Sequence, residues 1–359
     1  MNSIKDQILD LSRQNNIGAL TVWFDKQLNL FTNYPHKTPH FLAGDKLEEL
    51  AADIVRQLEW YRIETKVENV VLGMSGGVDS ALTAALFKKA GWNVTGVTLP
   101  INQNPAETER GVEACNALGI THQHIDLSDM YAAMLASQAA IDPNLTKNDD
   151  EIESGELPRI LIRRGNIRAR LRMITLYNLA AAKRGLVAST DNFSELCAGF
   201  WTLHGDVGDL APIQSLLKSW EVPYLARHMG VPETTWRATP TDGLGISNGD
   251  EAQLGASYLE WDLMVLAIHE ALNNNFEFKE EISIDLVRDI LNFGDDERAD
   301  AVFDSVISRM RWTWFKRQNP LYMENKFFNR FETLRNIDFK LCVPKCVSDR
   351  IPQDLVQQS

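Results

Sequence analysis

The sequence predicts an α/β fold, a parallel sheet flanked by helices with a helical C-terminal part, and three observations carry that expectation. From Val70 onward, short apolar runs alternate with segments of helical periodicity, each bounded by turn residues. A glycine-rich loop, Gly73-Met74-Ser75-Gly76-Gly77-Val78-Asp79-Ser80, lies between a predicted strand and a predicted helix. A second polar loop, Thr190 to Glu195, follows a later predicted strand in the same way. In a parallel sheet both loops leave the same edge, and ligands of open α/β sheets bind there.

Taken in order, Val70-Val71-Leu72 is the first strand, Ser80 to Ala90 its helix with Gly91 as the stop, and Asn93 to Leu99 the second strand. A helix over Glu107 to Leu118, closed by Gly119, an extended segment His122 to Leu127 and a helix over Met130 to Ala139 complete a βαβαβ order. Asp142 to Glu156, with Pro143, Asn144, Asp149, Asp150 and Gly155, reads as a mobile loop over one end of the sheet. Gly165 and Asn166 open a long helix running to Arg184, and Gly185 stops it before the strand Leu186 to Ser189. After a loop-rich tract to Pro212 the pattern turns helical over Ser215 to Met229, Gln253 to Asn273, Asp285 to Phe293 and Arg298 to Arg317. Upstream, Ala19 to Phe24 reads as a strand and Tyr34 to His40 as a loop. Three regions are expected: an N-terminal extension 1–45, a catalytic domain 46–320 and a C-terminal extension 321–359.

A chain of 359 residues with 44% hydrophobic content can bury a full core. The longest apolar run falls short of the roughly 20 residues that span a bilayer, and Met1 to Gln14 lacks a signal core, so a cytoplasmic protein with no membrane partner is expected. Cys115, Cys197, Cys342 and Cys346 are too scattered for a disulfide framework; Cys342 and Cys346 have a spacing that suits two zinc ligands, but no second pair lies nearby. The net charge of -13 disfavours a nucleic-acid surface, so any anion must be held locally. The one basic concentration runs from Arg159 to Arg172; Arg159, Arg163 and Arg164 read either as part of an anion site or as salt-bridge partners of the acidic stretch Asp149 to Glu153.

Glycines at 76 and 77 permit positive φ and close backbone approach, so successive N–H groups can form a nest for an anion, reinforced by the following helix terminus. Neither the Walker spacing with its lysine nor G-x-G-x-x-G is present. Asp79 inside such a loop would repel a triphosphate unless a cation lay between them, which implies Mg²⁺, although an aspartate here also suits a helix N-cap. Glu195, in the second loop at the same sheet edge, could reach the same ion.

The run SGGVDS resembles the pyrophosphate loop of the ATP-pyrophosphatase superfamily. Gly165-Asn166-Ile167-Arg168-Ala169-Arg170-Leu171-Arg172-Met173, then TDNFSE, then GFWTLHGDVGD resemble the ammonia-dependent NAD synthetases within it. Lys218 in LLKSW, the Pro240-Thr241-Asp242 turn, and Asp250 to Gly255 followed by Tyr258 and Asp262 extend the resemblance over roughly Leu47 to Pro320. It implies an adenine nucleotide alpha hydrolase-like sheet. It implies ATP bound by Gly73, Met74, Ser75, Gly76, Gly77, Val78, Asp79, Ser80, Thr190, Lys218 and Thr241, with Mg²⁺ on Asp79 and Glu195. Asp79, Glu195 and Lys218 would be the catalytic group, and Arg170, Asp209 and Lys316 would face deamido-NAD, with His204 a candidate to stand in there for a lysine that the family usually carries and this chain lacks. On a helix Arg168 and Arg172 share a face while Arg170 lies about 200° away from Arg168.

The implied reaction is adenylation of the nicotinate carboxylate by ATP followed by attack of ammonia, in a homodimer whose interface shapes the dinucleotide site. The stretch before Val70 is too short for a nitrilase-like glutaminase, so free ammonia is the expected donor, with a separate glutaminase as the other source. Two departures from the family pattern stand out. Leu203 and His204 occupy the place of a usual Lys-Tyr pair, and Phe315 replaces a usual histidine before Lys316. The alternatives are another amidating ATP-pyrophosphatase, GMP synthetase-like or tRNA-modifying, and a noncatalytic nucleotide-binding relative.

Overall fold

The computed structural model describes residues 3–13, 18–239, 249–275 and 282–318, and among these the sheet has four parallel strands. They are β1 (Asn69–Gly73), β2 (Asn93–Thr98), β3 (Thr121–His124) and β4 (Gly185–Val187), in the order β3-β2-β1-β4. Val70 pairs with Val94 on one side and Leu186 on the other. The chain therefore steps outward from β1 to β3 and returns to the opposite side of β1 for β4. The helix leaving β1 covers the sheet face that Val70 and Leu72 bury, whereas the helix leading into β4 covers the other face, so the strand order reverses between β1 and β4, the place where open α/β sheets bind ligands.

In chain order the helices are α1 (Ile4–Leu11), α2 (Val22–Asn33), α3 (Asp45–Thr65), α4 (Val78–Lys89), α5 (Pro105–Leu118), α6 (Ser128–Gln138) and α7 (Leu157–Lys183). There follow α8 (Phe193–Ala198), α9 (Glu221–His228), α10 (Glu233–Trp236), α11 (Asp250–Leu254), α12 (Tyr258–Asn275), α13 (Ile284–Leu291) and α14 (Glu297–Trp312). Alternation along β1 sorts the two faces of the sheet. Val70 and Leu72 join a core with α4, α9, α12 and α14, while Val71 packs with Val97, Val187 and the α7 residues Leu171, Leu176 and Ala180. The N-terminal region enters the first of these cores through Ile8, Leu11, Trp23, Phe24, Leu28 and Phe31.

Several local expectations are corrected. Ala19 to Phe24 is not a strand: α2 starts at Val22, and Trp23, Phe24, Leu28 and Phe31 are buried at helical spacing, a period that six residues are too few to display. The long helix begins at Leu157, with Pro158 in its first turn, so Gly165 and Asn166 lie inside it. Asp142 to Glu156 is not an open loop. Two 3₁₀ turns order it, Leu145 and Ile152 are buried, and Arg164 donates to the Leu145 carbonyl at 3.1 Å and pairs with Asp149 at 2.6 Å. Arg163 pairs with Asp142 and Arg159 with Glu156, so all three arginines are salt-bridged, but only Arg164 to the expected stretch Asp149 to Glu153. The third strand ends at His124, before the expected Leu127, and within Ser215 to Met229 only Glu221–His228 is helical.

Candidate active site

The loop after β1 gains its shape from what presses on it. Gly76 has φ +84°, and a Cβ there would stand 2.1 Å from the Glu107 carbonyl oxygen of α5. Arg110, one turn along α5, donates to the Gly76 carbonyl at 3.1 Å. Ser75 Oγ accepts from the Gly77 N–H at 3.2 Å, and Ser80 Oγ donates to the Gly77 carbonyl at 3.0 Å. The N-cap of α4 is Gly77, without a side-chain cap, so the first N–H groups of this helix are left for an anion at its positive end.

Across the crevice, α8 follows β4 with a capping box in which Asn192 and Glu195 exchange backbone hydrogen bonds. Asn192 also donates Nδ2 to Asp79 Oδ1 at 3.0 Å. Lys218 pairs directly with Asp79 Oδ2, lies 3.6 Å from Glu195 Oε1, and sits over the Tyr258 ring at 5.6 Å. Its side chain is only 9% exposed, with Asp79 at 15% and Glu195 at 17%. Burial raises the Glu195 carboxyl, against the opposing charge of Lys218 and with the support of Asp79. For Lys218 burial works to lower the ammonium, but Asp79 and Glu195 overcome it and hold the pKa above its ordinary value.

The turn carrying Lys218 is fixed by buried carboxylates. Asp262 accepts from Ser194 Oγ at 2.5 Å and from the Ser219 N–H at 2.8 Å. Ser194 Oγ in turn accepts from the Lys218 N–H at 2.9 Å, and Glu221 accepts from the Leu217 N–H at 2.8 Å. Burial raises Asp262 to about 6 and Glu221 to about 8. These bonds explain why Ser215 to Ser219 departs from the helix expected there.

The resulting cleft has a volume of ≈ 510 Å³ and is lined by Gly73, Met74, Ser75, Gly77, Val78, Asp79, Ser80, Thr190, Glu195, Lys218 and Lys316 among others. Most of the expected ATP and metal residues thus meet in one place. Thr241 lies outside the described residues. Lys316 reaches the cleft, but its ammonium donates to the carbonyls of Gly199 at 2.6 Å and Trp201 at 2.5 Å. Arg170, His204 and Asp209 do not line it. Arg170 donates to the Leu203 carbonyl at 3.2 Å on the exposed side of α7. Asp209 accepts from Tyr177 Oη at 3.0 Å and from the Val187 N–H at 2.8 Å, and His204 is exposed with φ +61°. A wider groove of ≈ 900 Å³, beside edge strand β3 and containing Glu109, His124 and Asp126, lacks any comparable buried charge.

Sequence reading missed Arg110, Arg309, Asp191 and Asp206 in the cleft wall. Arg172, on the other arginine face, also lines it, held by the Leu99 carbonyl at 3.1 Å and Gln103 Oε1 at 2.8 Å. Arg309 is on α14, more than two hundred residues from the phosphate loop, and no local pattern points to it. Arg110 follows Glu107 by three positions and so shares its face of α5, a clue that gains meaning once Glu107 is known to touch Gly76.

Comparison with known proteins finds relatives for both the sequence and the fold. A family model described as NAD synthase matches residues 50–320. The NH(3)-dependent NAD(+) synthetase of Alkaliphilus oremlandii is 36% identical over 216 residues, 59% of this chain and 83% of that one. The enzyme of the same name from Methanocaldococcus jannaschii is 33% identical over 249 residues, 68% and 90% of the two chains. Among solved structures, the NMN synthetase from Francisella tularensis superposes with a TM-score of 0.56 at 26% identity, over 78% of this chain and 99% of that one. The NH3-dependent NAD synthetase from Campylobacter jejuni gives a TM-score of 0.56 at 25% identity, over 77% and 99%. With the family model matched over residues 50–320, well over half of its length, this chain belongs to the NAD synthase family.

Proposed function

We propose that this chain is an ammonia-dependent NAD synthetase, a ligase that forms the amide of NAD from deamido-NAD at the expense of ATP. The observation that carries the reading is the meeting of an uncapped helix terminus at Gly77 with the buried Lys218, Asp79 and Glu195 cluster at the sheet's switch point. A nicotinate carboxylate is a poor electrophile, so it is activated first. Its oxygen attacks the α-phosphorus of ATP, the bond to the bridging oxygen breaks, and pyrophosphate leaves with the electron pair. Ammonia then attacks the acyl carbon, the carbon–oxygen bond to AMP breaks, and the nitrogen loses a proton.

The N–H groups of Gly77 to Ser80 and the ammonium of Lys218 face the departing pyrophosphate, where developing charge is worth most to stabilise. Asp79 and Glu195 are a hard, oxygen-only donor pair in the same wall, which suits Mg²⁺ completed by phosphate oxygens and water. When bound, the ion supplies charge neutralisation for the triphosphate. Asp79 and Glu195 would hold it while Lys218 turns its ammonium toward the phosphates.

The acceptor side is open. Arg170, Ile174 and Tyr177 share one stripe of α7, Ile174 is 63% exposed, and Asp209 is bonded to Tyr177. An apolar, partly charged face of this kind fits a second copy of the chain, so the functional unit is a homodimer whose interface completes the dinucleotide site. Free ammonia is the nitrogen source, delivered from solution or by a separate glutaminase, and the cytoplasm, where ATP is abundant, is the setting.

A second reading keeps the chemistry and changes the acceptor to nicotinate mononucleotide. Leu203, which removes a lysine charge from the acceptor side, and the name of the Francisella relative favour it. Purified protein with ATP, Mg²⁺ and ammonium is offered each acceptor, with dinucleotide or mononucleotide product and AMP measured by chromatography. Stoichiometric NAD and AMP uphold the first reading. Product only from the mononucleotide selects the second, and absence of AMP with both acceptors refutes the ligase assignment.

A further inference from the structure

The N-terminal extension reaches the cleft wall. At the end of α1, Arg13 adopts φ +57° and donates its N–H to the Asp10 carbonyl at 3.1 Å. Its guanidinium donates to the Ala238 carbonyl at 3.1 Å and to Thr239 Oγ1 at 3.0 Å. Ala238 and Thr239 both line the cleft that holds Lys218. The preceding residue, Arg237, is gripped by Asp10 from the same turn of α1, through contacts of 3.0 and 3.2 Å. Three consecutive residues, two of them in the wall, are thus fastened to the C-terminal end of α1 and the residues just after it. That turn is anchored by Ile8 and Leu11 in the main core.

The α1 side of the fastening, Asp10 and Arg13, lies outside the family match, which spans residues 50–320, while Arg237 to Thr239 lie within it. Burial raises the Glu251 carboxyl beside Asp250, and the Tyr258 N–H and the charge of Arg13 act against it. A single guanidinium therefore ties the 238–239 segment to the end of α1.

We propose that Arg13 is a positioning residue for nucleotide binding, through which the N-terminal extension sets the wall at Ala238 and Thr239. This rests on the reading that ATP occupies the cleft. Arg and its two hydrogen bonds fix both a backbone carbonyl and a side-chain hydroxyl, so the wall keeps one conformation before the nucleotide arrives. The arrangement makes ATP affinity depend on a helix that the matched family region does not contain.

The test uses the full chain with Arg13→Ala, Arg13→Lys and Lys218→Ala, measuring ATP affinity by titration calorimetry and the KM for ATP and deamido-NAD separately. Arg13→Ala should raise the KM for ATP by about five- to tenfold while leaving the KM for deamido-NAD within about twofold. Arg13→Lys keeps the charge and one hydrogen bond and should fall between. If Arg13→Ala folds poorly, the intermediate shift in Arg13→Lys still decides. An unchanged KM for ATP, or an equal rise in both KM values, overturns the proposal. If Lys218→Ala leaves ATP affinity intact, the placement of ATP in this cleft is what fails; if only the Arg13 variants leave it intact, the fastening alone fails.

Discussion

The residues that the proposed function assigns to the phosphate end and to the acceptor end of the reaction differ in how far one chain organises them. At the phosphate end, Lys218, Asp79 and Glu195 are 9 to 17% exposed and locked into a hydrogen-bonded set with Asn192, Ser194 and Asp262. At the acceptor end, Arg170, His204 and Asp209 are exposed, and the hydrogen bonds of Arg170 and Asp209 run to backbone or to Tyr177. The first is preorganised: charges are buried, paired and aimed before substrate arrives, so little reorganisation accompanies the chemistry. The second is a surface. On the proposed function, the contrast teaches that the groups assigned to carboxylate activation are organised within one chain, whereas those assigned to the carboxylate's carrier would be completed by the proposed interface.

The strongest blow to the comparison is Lys218→Ala. It removes the one cation from between two buried carboxylates, and about a 10³-fold fall in kcat/KM is expected, measured as AMP release, with the far-ultraviolet circular dichroism retained. A fall under tenfold would mean that the buried set is structural only. Ile174→Arg attacks the other end. It places a charge in the exposed α7 stripe and should shift light scattering from dimer to monomer and raise the KM for deamido-NAD at least tenfold, with ATP affinity held. A monomeric wild-type protein would remove the interface from the argument.

A third experiment sharpens the preorganised side through pH. Burial lifts Glu221 to about 8 in the folded chain, above its ordinary 4.5. The folded state then binds the extra proton between those values, so this contribution to stability is complete below the ordinary value and lost as pH rises through about 8. Glu221→Gln keeps an acceptor for the Leu217 N–H and removes the ionisation. Urea denaturation should show the variant gaining on wild type by roughly 1–3 kcal/mol between pH 5 and pH 8. Parallel curves for the two proteins would place Glu221 outside the pH response. The smallest effect is expected from Leu203→Lys, which restores a charge on the open side and should tighten deamido-NAD by about three- to tenfold, or roughly 1 kcal/mol; calorimetry with unchanged affinity would show that residue 203 does not face the acceptor.

Much of the phosphate end was legible in the sequence because its parts are local. Strand β1, the Gly76–Gly77 turn and the start of α4 fall within a dozen residues, and each obeys a short-range rule about burial, φ or helix termini. That Asp79 and Glu195 would lie in one neighbourhood could be anticipated from strand-then-loop order, since parallel strands bring both loops to one edge, and both meet Lys218 there. What failed locally failed for lack of length or for competing signals. Six residues at Ala19 to Phe24 could not reveal the helical period of α2, and Gly165 looked like a helix start although Pro158 had already supplied one.

The sequence by itself therefore determined the fold class, the phosphate loop and the chemistry that a glycine-rich turn beside acidic and lysine residues can perform. Tertiary structure alone decided which charges share the cleft. Arg110, Arg172 and Arg309 come from three helices, and Arg13 meets Ala238 across more than two hundred residues of chain. Periodicity records which face of an element is apolar, but the contacts that bury Lys218 or clamp Thr239 depend on how the elements pack in three dimensions, and that is a property of no single segment.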